Sequence, residues 1–203
     1  MSQEGLGAAG AGGVSAGKHI PGGAVGGTVV ARRVLRKGSK YDIEVLTART
    51  RDGELRERAI VRHPGAVVIL PIWDGAAGRK LVLIRSYRLS VERSIYEFPA
   101  GTLEVGEAPA ACAPRELEEE TGFLAGRIVP LGNFLTSPGL SDERMWAFAA
   151  FDLTQAQQRL EPDEDIVVEP TAVEDVWRMV RDGRLDDGKS MVALLLARER
   201  GLL

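Results

Sequence analysis

The sequence predicts a mixed α/β protein of the α+β kind, and three observations predict this class. Short β-rich runs alternate with turn signals over residues 28–63. Denser apolar runs of strand length follow at Ala66–Ile72 and Lys80–Ser86, as expected for strands buried on both faces. Apolar residues at helical spacing recur near the end of the sequence. We therefore expect an N-terminal antiparallel β meander, a main core that begins near residue 64, and two closing helices.

Length and composition limit the kinds of function to be expected. The 203 residues, 44% of them apolar, suffice for one good-sized core. The formal net charge is only -3 and the charged residues are interspersed, so the sequence indicates neither a nucleic-acid partner nor a membrane surface. No apolar stretch approaches the length of a membrane span and no secretory signal is evident, so a cytoplasmic location is expected. These features favour a small-molecule substrate.

The first elements follow in order. Residues 1–27 contain ten Gly and five Ala with almost nothing large and apolar. Ordering them would cost much backbone entropy for little burial, so we expect a flexible tail. The meander, over residues 28–63, is predicted from three β-rich runs: Thr28–Leu35, Tyr41–Ala48 and Leu55–Arg62. The main domain then spans residues 64–203.

The later elements are predicted from apolar periodicity and helix signals. They are a strand at Ser94–Phe98, an acidic helix at about Pro109–Thr121, strands at Arg127–Phe134 and Met145–Phe151, a helix at Thr171–Arg181, and a helix from Ser190 to about Arg200. Thr171 is the expected N-cap of the first closing helix.

The acidic helix contains the main chemical signal. At 100° per residue, Glu116, Glu119 and Glu120 share about a third of the circumference, whereas Glu118 points to the opposite side. Three carboxylates on one stripe repel one another unless a cation neutralises them, and hard divalent cations prefer oxygen ligands. The single Cys112 and two His provide too few ligands for a thiolate or imidazole site. Mg²⁺ is therefore the expected cofactor, with Mn²⁺ as a substitute.

The spacing around this helix matches a known pattern. From Gly101 to Phe123 the sequence has the form G-x5-E-x7-R-E-U-x-E-E-x-G-U, where U is bulky and apolar. Every position is met, and the pattern resembles the Nudix box. The resemblance implies a Nudix fold, in which a mixed β sheet lies between helices and the box forms a metal-binding loop, helix and loop. Pro114 should bend the box helix, because it removes a backbone hydrogen bond beyond the first turn.

Position in the box implies the roles of individual residues. Gly101 would permit a tight turn, and Arg115 and Glu107 would orient the carboxylates through ion pairs. The metal ligands would be Glu116, Glu119, Glu120 and the carbonyl of Ala100.

Two flanking stretches resemble the ADP-ribose pyrophosphatase subgroup of this family. Upstream, Leu83–Arg88 is followed by Tyr96–Gly101, and downstream Pro138 lies fifteen residues after Phe123. The resemblance implies that the substrate is contacted by Arg85, Arg88, Pro138 and Glu143. A guanidinium suits phosphate oxygens because its planar fork donates two hydrogen bonds at once.

The catalytic base in this subgroup often comes from a mobile acidic loop beyond the box. Residues 161–166 form the matching loop here, and Glu164 resembles the family's base better than Glu161 or Asp163 does. Glu119 and Glu120 are expected to share in catalysis as box carboxylates. Each loop carboxylate could equally be part of a solvated acidic turn.

The resemblance implies a Mg²⁺-dependent hydrolase that cuts ADP-ribose into AMP and ribose 5-phosphate without a covalent protein intermediate. A nucleoside-diphosphate-sugar such as GDP-mannose or ADP-glucose is the alternative substrate, and an oxidised nucleoside triphosphate ranks third. A non-catalytic ligand-sensing module is the alternative of another class. A homodimer is also implied, because subgroup members commonly exchange their N-terminal strands.

Overall fold

The computed structural model describes residues 27–75, 78–162 and 164–203. Its elements follow the chain in this order: β1 Thr28–Arg36, β2 Asp42–Arg49, β3 Leu55–Arg62, β4 Ala66–Gly75, β5 Gly78–Arg88, β6 Arg93–Glu97, β7 Ala100–Thr102, α1 Pro109–Thr121, β8 Phe123–Leu135, β9 Arg144–Gln155, β10 Ile166–Ala172, α2 Val173–Asp182 and α3 Gly188–Glu199. The glycine-rich tail predicted over residues 1–27 lies outside the described residues except for Gly27.

The first three strands form a sheet of their own in the order β1-β2-β3. Both pairings are antiparallel, as β-rich runs joined by short turns predict. Every residue of β1 is exposed, whereas β2 is half-buried. The meander is therefore observed as predicted, with its first strand as an uncovered edge.

The larger sheet has the order β10-β5-β4-β9-β8, with β6 paired to β5 and β7 paired to β4. β4 is parallel to β9, while its pairings with β5 and β7 are antiparallel. The sheet is therefore mixed, which confirms the predicted fold class.

Both faces of β4 are buried, and alternate residues pack into different clusters. Val68, Leu70 and Ile72 pack with residues of α2 and α3. Val67 and Ile69 pack with Cys112, Ala113 and Leu117 of α1. Because successive strand side chains point to opposite faces, this alternation places the sheet between helices. None of the helices in the described ranges has the length and apolar content needed to cross a membrane.

One edge of β4 has two different partners, and this creates an opening in the sheet. Its end, Ile72–Gly75, pairs with β5, while its beginning, Ala66–Val68, pairs with β7. Between them Ile69 N–H donates to Pro99 O at 2.9 Å. β5 diverges from β4 and pairs with β6 instead, so the ends of β5, β6 and β7 come together at one place.

Two sequence predictions need correction. Thr171 is not a helix cap: it lies in β10, and its Oγ1 donates to Glu169 O at 2.9 Å. α2 begins only at Val173, after Ala172, which makes no side-chain cap. β8 begins at Phe123 rather than at Arg127. α1 has the predicted bounds and continues as helix through Pro114.

Candidate active site

The ends of α1 are set by local sequence. Pro109 occupies the first turn, where its missing N–H costs no helical hydrogen bond. Gly122 ends the helix in the left-handed region at φ 68°, and its N–H donates to Glu118 O at 2.8 Å. Cys112, Ala113 and Leu117 are fully buried against the sheet. This packing fixes the rotation of the helix and so the direction of its glutamates.

Arg115 connects three carboxylates. Its Nε and one terminal nitrogen donate to the two oxygens of Glu107 at 3.0 and 2.9 Å. The other terminal nitrogen lies 2.9 Å from both Glu119 Oε2 and Glu116 Oε1. The hydrogen bonds from Arg115 lower the pKa of Glu107 to about 2, and those to Glu107 raise the pKa of Arg115. Arg115 thus binds Glu107 and two of the box glutamates at once.

Glu120 joins the helix to β7. The side chain is 4% exposed, and Oε2 accepts a hydrogen bond from the N–H of Ala100 at 2.8 Å. Burial raises the pKa of this carboxyl to about 8, and Glu116 and Glu164 act in the same direction by charge repulsion. A buried carboxyl with carboxylate neighbours is a position where a bound cation would be stabilising.

Gly101 leaves space for Glu116. An ideal Cβ at Gly101 would lie 1.8 Å from the carboxyl carbon of Glu116, so any side chain there must displace this carboxylate. Burial also raises the pKa of Glu116, with the Arg115 charge opposing the shift. Glycine is therefore needed here because of a close approach to a box carboxylate.

A cavity of about 600 Å³, which we call the box cavity, unites these groups. Its walls include Ala100, Gly101, Arg115, Glu116, Glu119, Glu120 and Glu164. The carboxylate oxygens and the nearby backbone form a donor set that fits a hard divalent cation. Within residues 27–75, 78–162 and 164–203, no three acidic, His or Cys side chains converge on one metal position. Glu116 and Glu119 are directed to Arg115 instead, and Glu120 to Ala100.

The acidic loop beyond the box contributes to the cavity. Glu164 lies in its wall, and its carboxylate accepts from Glu161 N–H at 2.8 Å. Glu161 also lines the cavity and lies 3.5 Å from Lys40 Nζ. Asp163, the other loop carboxylate considered, lies outside the described residues. The loop therefore places Glu164 in the wall of the same cavity as the box glutamates.

Two further cavities adjoin the box cavity. The α3 cavity, about 520 Å³, is lined by the start of α3 together with Thr136, Glu143 and Met145. The meander cavity, about 860 Å³, is lined by Arg36, Lys40, Tyr41, Tyr87 and Leu89 among others. Arg88 lines all three cavities. It lies at their junction, at the divergent end of β5.

The predicted substrate residues divide into two groups. Arg88 and Glu143 line cavities, and Glu143 accepts from Thr136 Oγ1 at 2.5 Å. Arg85 instead donates to Glu169 at 2.8 Å, and Pro138 lies in an exposed turn. Among the described residues, neither forms a wall of the three cavities. Arg85 and Arg88 are three apart on a strand, so they point to opposite faces.

Sequence reasoning missed four residues next to the site. These are Glu97, Asp187, Lys189 and Ser190. A signal existed for two of them: Asp187 followed three residues later by Ser190 has the form of a helix N-cap, and the Asp187 side chain accepts from Ser190 N.

The chain is similar in sequence to known proteins of one family. A family model described as NUDIX domain matches residues 62–194. An ADP-ribose pyrophosphatase of Bacillus subtilis (strain 168) is 37% identical over 167 residues, which are 81% of this chain and 89% of the relative. A GDP-mannose pyrophosphatase of Enterobacter sp. (strain 638) is 32% identical over 152 residues, 70% of this chain and 77% of the relative.

A solved structure supports the fold. The crystal structure of an ADP compounds hydrolase superposes with a TM-score of 0.74 at 23% identity, and the match covers 87% of this chain and 97% of the other.

Proposed function

Because this chain belongs to the Nudix family and is a diphosphatase of the ADP-ribose pyrophosphatase-like subgroup, we propose that it hydrolyses ADP-ribose to AMP and ribose 5-phosphate with Mg²⁺. The observation that carries the proposal is the meeting of three cavities at Arg88. A diphosphate with a bulky group at each end fits a carboxylate-lined centre with a cavity on either side. The 37% identical relative is an ADP-ribose pyrophosphatase, and this supports the same substrate.

The proposed metal ligands are Glu116, Glu119, Glu120 and the carbonyl of Ala100. When bound, Mg²⁺ supplies charge stabilisation to the phosphate oxygens, and Mn²⁺ suits the same oxygen donors. Arg115 holds two of these carboxylates at 2.9 Å, so their orientation is set before any ion binds. The Ala100 N–H holds Glu120 in the same way.

The other polar groups act on substrate and water. Arg88 can donate to the diphosphate from the junction of the cavities. Glu164 orients a water molecule and accepts its proton as general base. The water oxygen attacks one phosphorus while the bond from that phosphorus to the bridging oxygen breaks, which leaves two monophosphates. Cys112 is fully buried between α1 and the sheet, so it cannot serve as a nucleophile.

A sugar nucleotide is the second candidate substrate, because the 32% identical relative is a GDP-mannose pyrophosphatase. The α3 cavity, which contains Thr136 and Glu143, offers hydrogen-bonding groups to any sugar hydroxyl. Its geometry alone does not favour ribose over mannose. Substrate comparison is therefore the deciding experiment.

Purified protein should be incubated with Mg²⁺ and, separately, ADP-ribose, GDP-mannose, ADP-glucose and 8-oxo-dGTP, with product analysis. We expect AMP plus ribose 5-phosphate, the highest kcat/KM for ADP-ribose, and no turnover in excess EDTA. A higher kcat/KM for GDP-mannose would replace the substrate but keep the chemistry. A preference for 8-oxo-dGTP would contradict the proposal.

We also propose a homodimer formed through the N-terminal meander. β1 is exposed along its whole length, and its side chains include Val29, Val30, Val34 and Leu35. An uncovered strand edge with apolar side chains favours pairing with another chain. Light scattering at micromolar concentration should give twice the monomer mass of 21.9 kDa. A monomeric mass would contradict the dimer without affecting the hydrolytic proposal.

A further inference from the structure

A buried charge cluster joins α3 to the strand that precedes Ala100. Its centre is Glu97, the last residue of β6, whose side chain is fully buried. Arg88 donates to both oxygens of this carboxylate at 2.7 and 2.8 Å. Lys189 Nζ donates to the same Oε2 and, at 3.1 Å, to Asp187. One buried carboxylate therefore has two cationic partners, from β5 and from α3.

The same turn of α3 is bound to the backbone beside the site. Asp187 Oδ2 accepts from Ser190 N at 3.0 Å and from Ser190 Oγ at 2.6 Å. Ser190 Oγ in turn accepts from the N–H of Phe98 at 2.7 Å. Phe98 lies two residues before Ala100, whose N–H holds Glu120. The start of α3 is thus connected to the wall of the box cavity.

We propose that Lys189 is a positioning residue of the hydrolytic site, acting through Glu97 on Arg88. The inference rests on the proposed function, since it concerns binding of an anionic diphosphate. Arg88 and Lys189 together balance the charges of Glu97 and Asp187, so loss of Lys189 would leave the cluster with a net negative charge, and its guanidinium would attract phosphate weakly. Because Lys189 neutralises part of the negative charge of Glu97, the positive charge of Arg88 is less compensated and attracts phosphate more strongly at the junction of the cavities. The pairing matters because buried charges are screened little by salt.

Lys189 also restrains Arg88. The Glu97 carboxylate is bound by both Arg88 and Lys189, so its own orientation is fixed. The Arg88 guanidinium that donates to it is therefore held in one orientation as well. An arginine that is already ordered loses less side-chain entropy when substrate binds. The hydrogen bonds that Arg88 donates to Glu97 also raise the pKa of Arg88, so the guanidinium remains charged at every working pH.

A double-mutant cycle tests the proposal. Lys189→Met should raise KM for ADP-ribose about tenfold, within the range found for coupled charged neighbours, and change kcat less than about twofold. In an Arg88→Met background the same substitution should change KM less than about twofold, because Lys189 acts through Arg88. Equal losses in both backgrounds would overturn the proposal, as would an unchanged KM in the single variant.

Lys80→Met is the matched control. It removes the same charge and the same side chain from the other end of β5, where Lys80 lies over the Trp73 ring. Kinetic constants within about twofold of wild type are expected in both backgrounds. A KM effect as large as that of Lys189→Met would show that any loss of positive charge weakens binding, and this too would overturn the proposal.

A second variant covers loss of folding. Should Lys189→Met unfold at the assay temperature, Glu97→Gln removes the shared charge while it retains the shape of the side chain. Lys189→Met added to Glu97→Gln should then leave KM within about twofold, because the link between lysine and arginine is already absent. A further large rise in KM would show that Lys189 acts independently of Glu97.

The binding readout separates this inference from the proposed function. α,β-Methylene ADP-ribose cannot be hydrolysed at its carbon bridge, and its Kd can be measured with the same variants. Binding without hydrolysis of true ADP-ribose would refute the proposed reaction, while the cycle in Kd still tests Lys189. Hydrolysis with additive effects of the two substitutions would refute only the positioning role. A protein that neither binds the analogue nor hydrolyses ADP-ribose would refute both the proposed function and the positioning role.

Discussion

Arg115 and Glu107 are joined by two parallel hydrogen bonds, from Nε and a terminal nitrogen to the two oxygens of one carboxylate, at 3.0 and 2.9 Å. The carboxylate also accepts from the N–H of Glu104 at 3.0 Å. This arrangement connects the loop before α1 to the same arginine that contacts the box glutamates. It follows that breaking this pair should disturb the loop, the helix and the carboxylates that we propose to bind the metal.

The pair predicts a dependence of stability on pH. The pKa of Glu107 is lowered from 4.5 to about 2 in the folded state, so its ionised form stabilises the fold. This contribution is fully present above pH 4.5 and is lost as the pH falls toward 2. Urea unfolding should show Glu107→Gln less stable than wild type at pH 6, with a smaller difference at pH 3. In an Arg115→Met background, the difference should be small at both pH values.

Gly101→Ala should lower activity while leaving the fold intact. The new Cβ would meet the carboxyl carbon of Glu116 at 1.8 Å, and this side-chain end can move without disturbing the backbone. If Glu116 binds the metal as proposed, its displacement should lower kcat by roughly 10- to 100-fold. Gly75→Ala is the control, because its nearest neighbours lie at 3.9 Å. Equal kcat for the two variants would contradict the proposed role of Glu116.

Glu120→Gln should reduce kcat at least about a hundredfold. This is a larger loss than the roughly 10- to 100-fold expected when a residue that only orients a metal ligand is replaced. The amide replaces a buried carboxyl of nearly equal shape, so the melting temperature should not fall. Glu118→Gln, on the opposite side of the helix and paired with Arg159, should retain activity. Near-normal kcat with normal Mg²⁺ dependence in Glu120→Gln would defeat the site assignment.

The thiol of Cys112 should be unreactive in the native protein. Burial raises its pKa well above the usual range, and its side chain is fully covered by the sheet. Reaction with a disulfide reagent should be negligible under native conditions and complete within minutes in urea. Fast reaction of the native protein would show that α1 detaches from the sheet on that timescale.

Local signals allowed accurate prediction where they were strong. α1 was predicted with its observed bounds because Pro109 and Gly122 mark its ends and the box fixes its contents. The second half of the chain was harder: Thr171 looked like a helix cap, but Ile166–Ala172 pairs with β5 along its whole length. Tertiary pairing therefore overrode the local capping signal.

The candidate site was predictable only in part. The box residues lie on one short segment, so spacing alone brought them together. Glu97 and Lys189 are 92 positions apart in the sequence, and only the fold shows that they form an ion pair. The direction of Arg85 could not be read from composition either, since it depends on the strand register with β10.

The hydrogen bond that the Phe98 N–H donates to Ser190 Oγ has a consequence for biosynthesis. The box helix precedes α3 in the chain, so the strand end beside Ala100 lacks its hydrogen bond to Ser190 until α3 has been made. A nascent chain that ends before α3 would therefore hold the acidic residues without their final support. The protein should acquire its hydrolytic competence late in synthesis, once α3 has been made.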